Sequence, residues 1–328
     1  MSLGIIAFTE KGRDLAGRIL SHTDGRLYTK ETRPSSSRED FPKIWSNHDG
    51  IIFIGATGIA VRYIAPHLVK KDEDPAVLSI DDQGRFVISL VSGHLGGANE
   101  LAAMVARIID GTPVITTASD SRGFTAIDLI AKRNGLYIED LSSITPITTL
   151  MVDGEDLGYF STVDIPVDYP NLKVFTNPQD ISGVKGGLLI TEKLVDLDLP
   201  HTILRPKNLH LGLGARRGVP FDKILALVEE TFQDQGLSLH SVKSVGSIDL
   251  KADEEGIIKL ADHLNVPFIT FTKDELIPYE GQCRGSDFVK KTVGVGSVSC
   301  TSALKLGGQL IVDKNAQDGI TISITKEN

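Results

Sequence analysis

The segment Ser92-Gly93-His94-Leu95-Gly96-Gly97-Ala98-Asn99-Glu100 holds the densest chemistry in the chain. Three glycines surround one histidine, and glycine lets backbone press against a ligand where a Cβ would intrude. An imidazole titrates near neutrality and can serve as general acid or base. In that reading His94 is the base, and the backbone at Gly93, Gly96 and Gly97 lies against the substrate. The N–H groups near Gly96 and Gly97 then receive a developing oxyanion. Glu100 is a second proton acceptor and Asn99 a polar contact. Both also sit where a helix begins, and there amide and acidic side chains act as plain caps.

Four other stretches carry candidates. Gly55-Ala56-Thr57-Gly58 joins a strand to a helix, a place where backbone N–H groups can meet an anion. Arg62 lies one turn further and can add a charged fork. The bland alternative is a tight turn with a solvated arginine. Thr116-Thr117-Ala118-Ser119-Asp120 ends a strand, so Thr117 and Asp120 can line a cleft, or Asp120 can cap the next helix. Arg216 and Arg217 follow Gly214 and suit carboxylates or phosphates, unless they are a solvated turn. Lys251 precedes Asp253 and Glu254 and offers one more cation. The chain has no phosphate-loop Gly-Lys-Ser/Thr, no H-E-x-x-H, no C-x-x-C and no G-x-S-x-G motif. Gly212 to Gly218 is one residue too long for a dinucleotide fingerprint, and Gly294 to Ser299 lacks its third small residue.

These loops need strands and helices to hold them. Apolar runs at Leu3–Phe8, Ile51–Ile54, Ala76–Ile80, Phe86–Val91 and Pro113–Thr117 read as strands. A turn at Asp82-Gln83-Gly84 joins the third to the fourth. Helices are expected over Lys11–Leu20, after Gly58, and from Leu101 to Ile109, with Gly111 as a cap. Residues 30–42 read as a loop. The alternation predicts an α/β fold with a mostly parallel or mixed sheet over residues 1–120. Residues 121–205 read as a smaller α/β segment broken by Pro166, Pro170 and Pro178, with helices at Phe124–Arg133 and Leu141–Val152. Residues 206–328 read as a second α/β domain, with strands at Leu209–Leu213, Val242–Ile248 and Pro267–Phe271 and helices at Pro220–Gln235 and Ser297–Leu306.

The chain's 328 residues suffice for two or three domains with unstapled cores. A net charge of −9 argues against bulk nucleic-acid binding, which needs a basic footprint. No apolar run reaches the roughly 18–20 residues of a membrane span, and the apolar start lacks the flanks of a signal peptide. Cys283 and Cys300 could pair, but two cysteines read more simply as thiols of a reducing cytoplasm. No cluster of ligating residues predicts a metal site.

Several motifs in one order resemble the CbiG family of cobalamin biosynthesis, the cobalt-precorrin-5A hydrolases. They are GATGIAVRYIAPHL (Gly55–Leu68), DPAV (Asp74–Val77), SGHLGGANEL (Ser92–Leu101) and VITTASD (Val114–Asp120). GLGARRGVP (Gly212–Pro220), IDLKADEEG (Ile248–Gly256) and GVGSVS (Gly294–Ser299) extend the likeness into the last third. The resemblance implies an enzyme of the anaerobic, early-cobalt route. Water opens the ring A δ-lactone of a cobalt macrocycle, and the extruded carbon leaves as acetaldehyde. Cobalt belongs to the substrate, so no cofactor is implied. The expected partner is a cobalt-corrinoid small molecule, with neither nucleic acid nor membrane. Homo-oligomers and transient contacts with other enzymes of the pathway are compatible with it. Arg62, Arg216, Arg217 and Lys251 are then candidate holders of the macrocycle's carboxylates. Two other classes remain open: a tetrapyrrole carrier with His94 on cobalt, and a nucleotide-dependent enzyme using Gly55–Gly58.

Overall fold

A computed structural model describes residues 1–30, 40–70, 73–117 and 122–327. The chain folds as two compact units, residues 1–132 and 133–328. Asp120 and most of the loop expected over 30–42 lie outside the described residues. Among these residues no helix is long and apolar enough to cross a membrane.

The first unit is built on a six-stranded sheet in the order β2-β1-β3-β4-β5-β6. Its strands are β1 (Leu3–Ala7), β2 (Gly25–Tyr28), β3 (Gly50–Ile54), β4 (Ala76–Ile80), β5 (Phe86–Val91) and β6 (Thr112–Val114). β1, β3 and β4 are buried along their whole length, which explains their unbroken apolar runs. Helices α1 (Glu10–Leu20), α2 (Phe41–Asn47), α3 (Thr57–Ile64) and α4 (Ala98–Ile109) supply the covering layers. Leu15, Ala16 and Ile19 of α1 share a core with Leu101, Ala102, Val105 and Ile109 of α4. α3 and α2 close the other core, around Phe41, Phe53 and Tyr63. Pro42 sits in the first turn of α2, where its missing N–H costs nothing, so the expected loop ends in a helix. α4 ends on Asp110, with φ +60°, and not on the expected Gly111.

One detail of this sheet governs the site. β3 and β4 run parallel, but β4 and β5 are antiparallel, with Val77 beside Val91 and Ile80 beside Val87. β5 and β6 are parallel again. The carboxyl ends of β5 and β6 therefore lie at the sheet edge where β1, β3 and β4 begin. The carboxyl end of β3 lies at the opposite edge. A further helix, α5 (Ile127–Arg133), belongs to this unit through Lys132.

The second unit holds two five-stranded sheets. The first takes β7 (Tyr137–Ile138), β8 (Leu157–Ser161), β9 (Leu172–Val174), β10 (Gly186–Ile190) and β11 (His201–Arg205) in the order β7-β11-β10-β8-β9. α6 (Leu141–Val152) packs on it. β11 carries Arg205, only 1% exposed, whose guanidinium binds the Glu139 carboxylate and the carbonyls of Thr191 and Lys193. The second sheet has the order β14-β13-β12-β16-β15, with β12 (Leu209–Ala215), β13 (Val242–Ile248), β14 (Phe268–Phe271), β15 (Gln309–Gln317) and β16 (Ile320–Lys326). Its helices are α7 (Phe221–Asp234), α8 (Glu255–His263), α9 (Lys273–Leu276), α10 (Asp287–Val293) and α11 (Val298–Leu306). Glu192 links the two sheets by accepting from Thr162 Oγ1 at 2.6 Å and Lys326 Nζ at 2.7 Å. Burial alone would raise its carboxyl pKa, but the Lys326 ammonium and the Thr162 hydroxyl hold it below the ordinary range.

One expectation changes here. Cys283 and Cys300 form a disulfide and are not free thiols, because the turn Ile277–Gln282 packs on α11 and two residues 17 apart in sequence come to a Cα separation of 5.8 Å. Gly212 and Gly214 serve packing, as the absence of a dinucleotide fingerprint allows. They lie within β12, and α11 crosses the strand so closely that a Cβ on Gly212 would stand 1.9 Å from the Ser299 carbonyl oxygen. Gly212→Ala is expected to force strand and helix apart, at a cost of about 2–3 kcal/mol. A fall in the calorimetric midpoint without loss of the sheet's circular-dichroism signal checks this.

Candidate functional site

The loop between β5 and α4 takes its shape from two backbone constraints. Ser92 adopts φ +59° and Gly97 φ +84°. The Ser92 carbonyl accepts from Ala98 N–H at 3.0 Å, and the Gly93 carbonyl from Asn99 N–H at 3.0 Å. The loop closes so tightly that a Cβ on Gly96 would lie 2.3 Å from Ser92 Cβ. His94 is carried at the top of this turn.

His94 does not stand alone. Its Nδ1 lies 3.3 Å from Asp128 Oδ1, with the histidine side chain 17% and the aspartate side chain 6% exposed. A carboxylate facing Nδ1 accepts from its N–H and fixes the ring, which leaves the Nε2 lone pair for chemistry. α5 supplies a second group one turn on: Lys132 Nζ donates to the Leu95 carbonyl at 2.8 Å. Asp128 and Lys132 thus reach the His94 loop from one helical face.

Asn99 is buried and spends its amide inside the protein. Its Oδ1 accepts from Ser89 Oγ at 2.6 Å, and its Nδ2 donates to Thr117 Oγ1 at 3.0 Å. It clamps α4 to the ends of β5 and β6 and places Thr117 beside the loop. Gly93 must lack a side chain for this, since a Cβ would come within 2.9 Å of Asn99 Oδ1. The Gly97 N–H donates to the His94 carbonyl at 3.0 Å, so it is not the oxyanion donor expected from the motif. Glu100 is exposed in the first turn of α4, and the carboxylate against His94 is that of Asp128.

Gly55, Thr57, Gly58 and Arg62 do not join this site. They follow β3 and occupy the opposite edge of the sheet, a strand length or about 15 Å away. Their polar groups have local uses. Gly55 N–H donates to the Ile80 carbonyl at 2.7 Å, Thr57 Oγ1 pairs with Ser79 Oγ at 3.0 Å, and Arg62 folds back on the Gly58 carbonyl at 3.2 Å. A phosphate cradle needs these donors open.

In the second unit Arg216, Arg217 and Lys251 come together at a cavity of about 540 Å³ beside the end of β12. Arg217 pairs with the exposed Asp253 at 3.1 Å, and Lys251 with buried Glu254 at 3.4 Å. The Arg217 guanidinium holds the Asp253 carboxyl below its ordinary pKa. Arg216 donates its backbone N–H to the Gly319 carbonyl at 2.9 Å and leaves its guanidinium at the surface.

Sequence reading missed Asp128 and Lys132. A signal existed: Asp128 is the one acid in the run Phe124 to Ala131, whose apolar members are all buried. A lone carboxylate in such a run needs a polar partner.

Comparison with known proteins gives one result over the whole chain. Family models described as cobalamin synthesis G N-terminal, cobalamin biosynthesis central region and cobalamin synthesis G C-terminus match residues 39–120, 125–206 and 209–325. The chain is 34% identical to the cobalt-precorrin-5A hydrolase of Salmonella typhimurium, over 98% of this chain and 97% of that protein. It is 32% identical to the cobalt-precorrin-5A hydrolase of Priestia megaterium, over 98% and 93%. The probable cobalt-precorrin-5A hydrolase of Methanocaldococcus jannaschii is 28% identical, over 100% of both chains.

The tightness of the loop is testable without substrate. Gly96→Ala should displace Ser92 and swing His94 off Asp128, moving the His94 ring resonances in a heteronuclear NMR spectrum. The stability loss should be about 1–3 kcal/mol, the ordinary range for an overpacked site. Unmoved His94 resonances would contradict the packing described.

Proposed function

The chain belongs to the CbiG family of cobalamin biosynthesis, and on that premise we propose that it opens the ring A δ-lactone of cobalt-precorrin-5A with His94 as base and Asp128 as the group that orients it. Acetaldehyde leaves and cobalt-precorrin-5B remains. The contact of half-buried His94 with buried Asp128 is the observation that carries the assignment. Cobalt enters within the substrate, and the reading assigns the chain no cofactor.

Each step can be given to named groups. His94 Nε2 takes a proton from water, and the water oxygen adds to the lactone carbonyl. Asp128 stabilises the imidazolium that forms. The ring oxygen departs with the proton of the imidazolium as a free hydroxyl, the new carboxylic acid loses its own proton to solvent, and the imidazole is neutral again. That hydroxyl then gives its proton to the same imidazole once it has been reset. Its oxygen becomes the aldehyde carbonyl as the C–C bond to the macrocycle breaks, and the electron pair passes into the conjugated ring. Lys132 and Thr117 stand beside the loop to meet carboxylates and oxyanions, with Gly93 and Gly96 giving the macrocycle close access to backbone. Arg216, Arg217 and Lys251 belong to the cavity of the second unit and take no part in these steps. The chain's acidity makes a local cation such as Lys132 necessary for a polycarboxylate.

Incubation with cobalt-precorrin-5A should release one acetaldehyde per macrocycle. His94→Ala should lower the rate by about 10²–10⁴. Asp128→Asn should lower kcat by at least about tenfold while leaving KM nearly unchanged, because it disturbs the base and not the binding. Full activity of His94→Ala under saturating substrate would refute the assignment.

A further inference from the structure

The second unit's cavity has an unusual wall. On one side stand the end of β12 and the β15–β16 turn, with Arg216, Lys314 and Gly319. On the other stands α10, with Phe288, Val289 and Val293. α10 has no fully buried residue, and Phe288 is 78% exposed. Val289 and Val293 only half-bury against Ile248, Leu276 and Val298. The polar contacts near α10 tie its own flanks together: Ser286 N–H to the Gly296 carbonyl at 2.7 Å, Glu280 to Gly296 N–H at 2.6 Å and to Lys290 at 3.0 Å. A wall so lightly packed opens at little cost. The covalent tie is Cys283–Cys300, which closes the chain around α10 and fastens it to α11 at the fully buried Cys300.

The lining favours anions with an apolar face. Four cations line it, Arg216, Arg217, Lys251 and Lys314; Arg217 and Lys251 are paired with Asp253 and Glu254, and Asp318 is the one carboxylate of the lining. Arg216 and Lys314 have no ionic partner among the described residues. Phe288 offers an aromatic face that water alone would not reward.

We propose that this cavity is a separate binding site for a flat, carboxylate-bearing macrocycle, and that the Cys283–Cys300 bond sets its affinity by holding α10 as the closing wall. The ligand class rests on the function proposed above, while the cavity, its charge and its tether do not. A dithiol breaks the Sγ–Sγ bond, and its two electrons and two protons leave Cys283 and Cys300 as thiols. The dithiol becomes a cyclic disulfide. With the tie gone, α10 opens and Phe288 leaves the ligand face. Linkage then works both ways: bound macrocycle must protect the disulfide by the factor by which the disulfide tightens binding.

The test uses the full chain and cobyrinic acid, a cobalt corrin whose side chains are free carboxylates, with cobinamide, its amidated relative, as control. Oxidised protein should bind cobyrinic acid at least tenfold more tightly than dithiol-reduced protein, and cobinamide weakly in both states. Phe288→Ala and Arg216→Ala, both at exposed positions, should each weaken binding severalfold in the oxidised state. His94→Ala should leave this binding intact. Saturating cobyrinic acid should shift the equilibrium of Cys283–Cys300 with a dithiol toward the disulfide by the same factor. Equal affinity in the two redox states, or binding unmoved by both Phe288→Ala and Arg216→Ala, would overturn the proposal. So would two thiols that fail to pair under a mild oxidant. Acetaldehyde release measured in the same preparations separates the two readings. Release without redox-dependent binding sinks the cavity and keeps the hydrolase, and binding without release does the reverse.

Discussion

The reversal of chain direction between β4 and β5 decides where chemistry can occur in the first unit. Five residues join these strands, too few for a parallel crossover, which needs a dozen or more. The strands must therefore run antiparallel, and everything after β5 is turned end for end. The glycine loop with His94, the end of β6 with Thr117 and the helix with Asp128 all meet at one sheet edge as a result. The Gly55–Gly58 turn, which looks similar as a string of letters, is left at the other.

Packing then converts that edge into a site. The absence of a side chain at Gly96 lets the loop fold onto Ser92, and the absence of one at Gly93 admits Asn99. Asn99 spends both ends of its amide on Ser89 and Thr117, so the loop, α4 and two strand ends move as one body. Asp128 can then meet a histidine held by a rigid loop. A base pre-set in one orientation avoids reorganising at the moment of proton transfer.

Much of this was legible in the sequence. Apolar runs located β1, β3 and β4 because strands buried on both faces leave no alternation to misread, and β5, with one buried residue, was located by its apolar run alone. The periodicity of α4 was visible for the same reason: one face carries the core. β2 and α10 were not visible, since β2 has no buried residue and α10 half-buries only two valines. The glycines misled at Gly97, where the N–H is already occupied, while in β12 they admit the α11 backbone. A glycine pattern states that a Cβ would clash, and only the fold says with what. Asp128 was overlooked because its partner lies 34 residues earlier, a pairing that spacing does not reveal.

The two units carry different groups. The first holds His94 against buried Asp128, and the second carries Arg216, Arg217 and Lys251 around a cavity of its own. The joint action of His94 and Asp128 is the point on which the reading turns. A double-mutant cycle of His94→Ala and Asp128→Asn, followed as acetaldehyde release in single turnovers of cobalt-precorrin-5A, measures it directly. If Asp128 works through His94, the double variant is no slower than His94→Ala alone. If the two losses multiply, the residues act independently and the pair is not the catalytic unit.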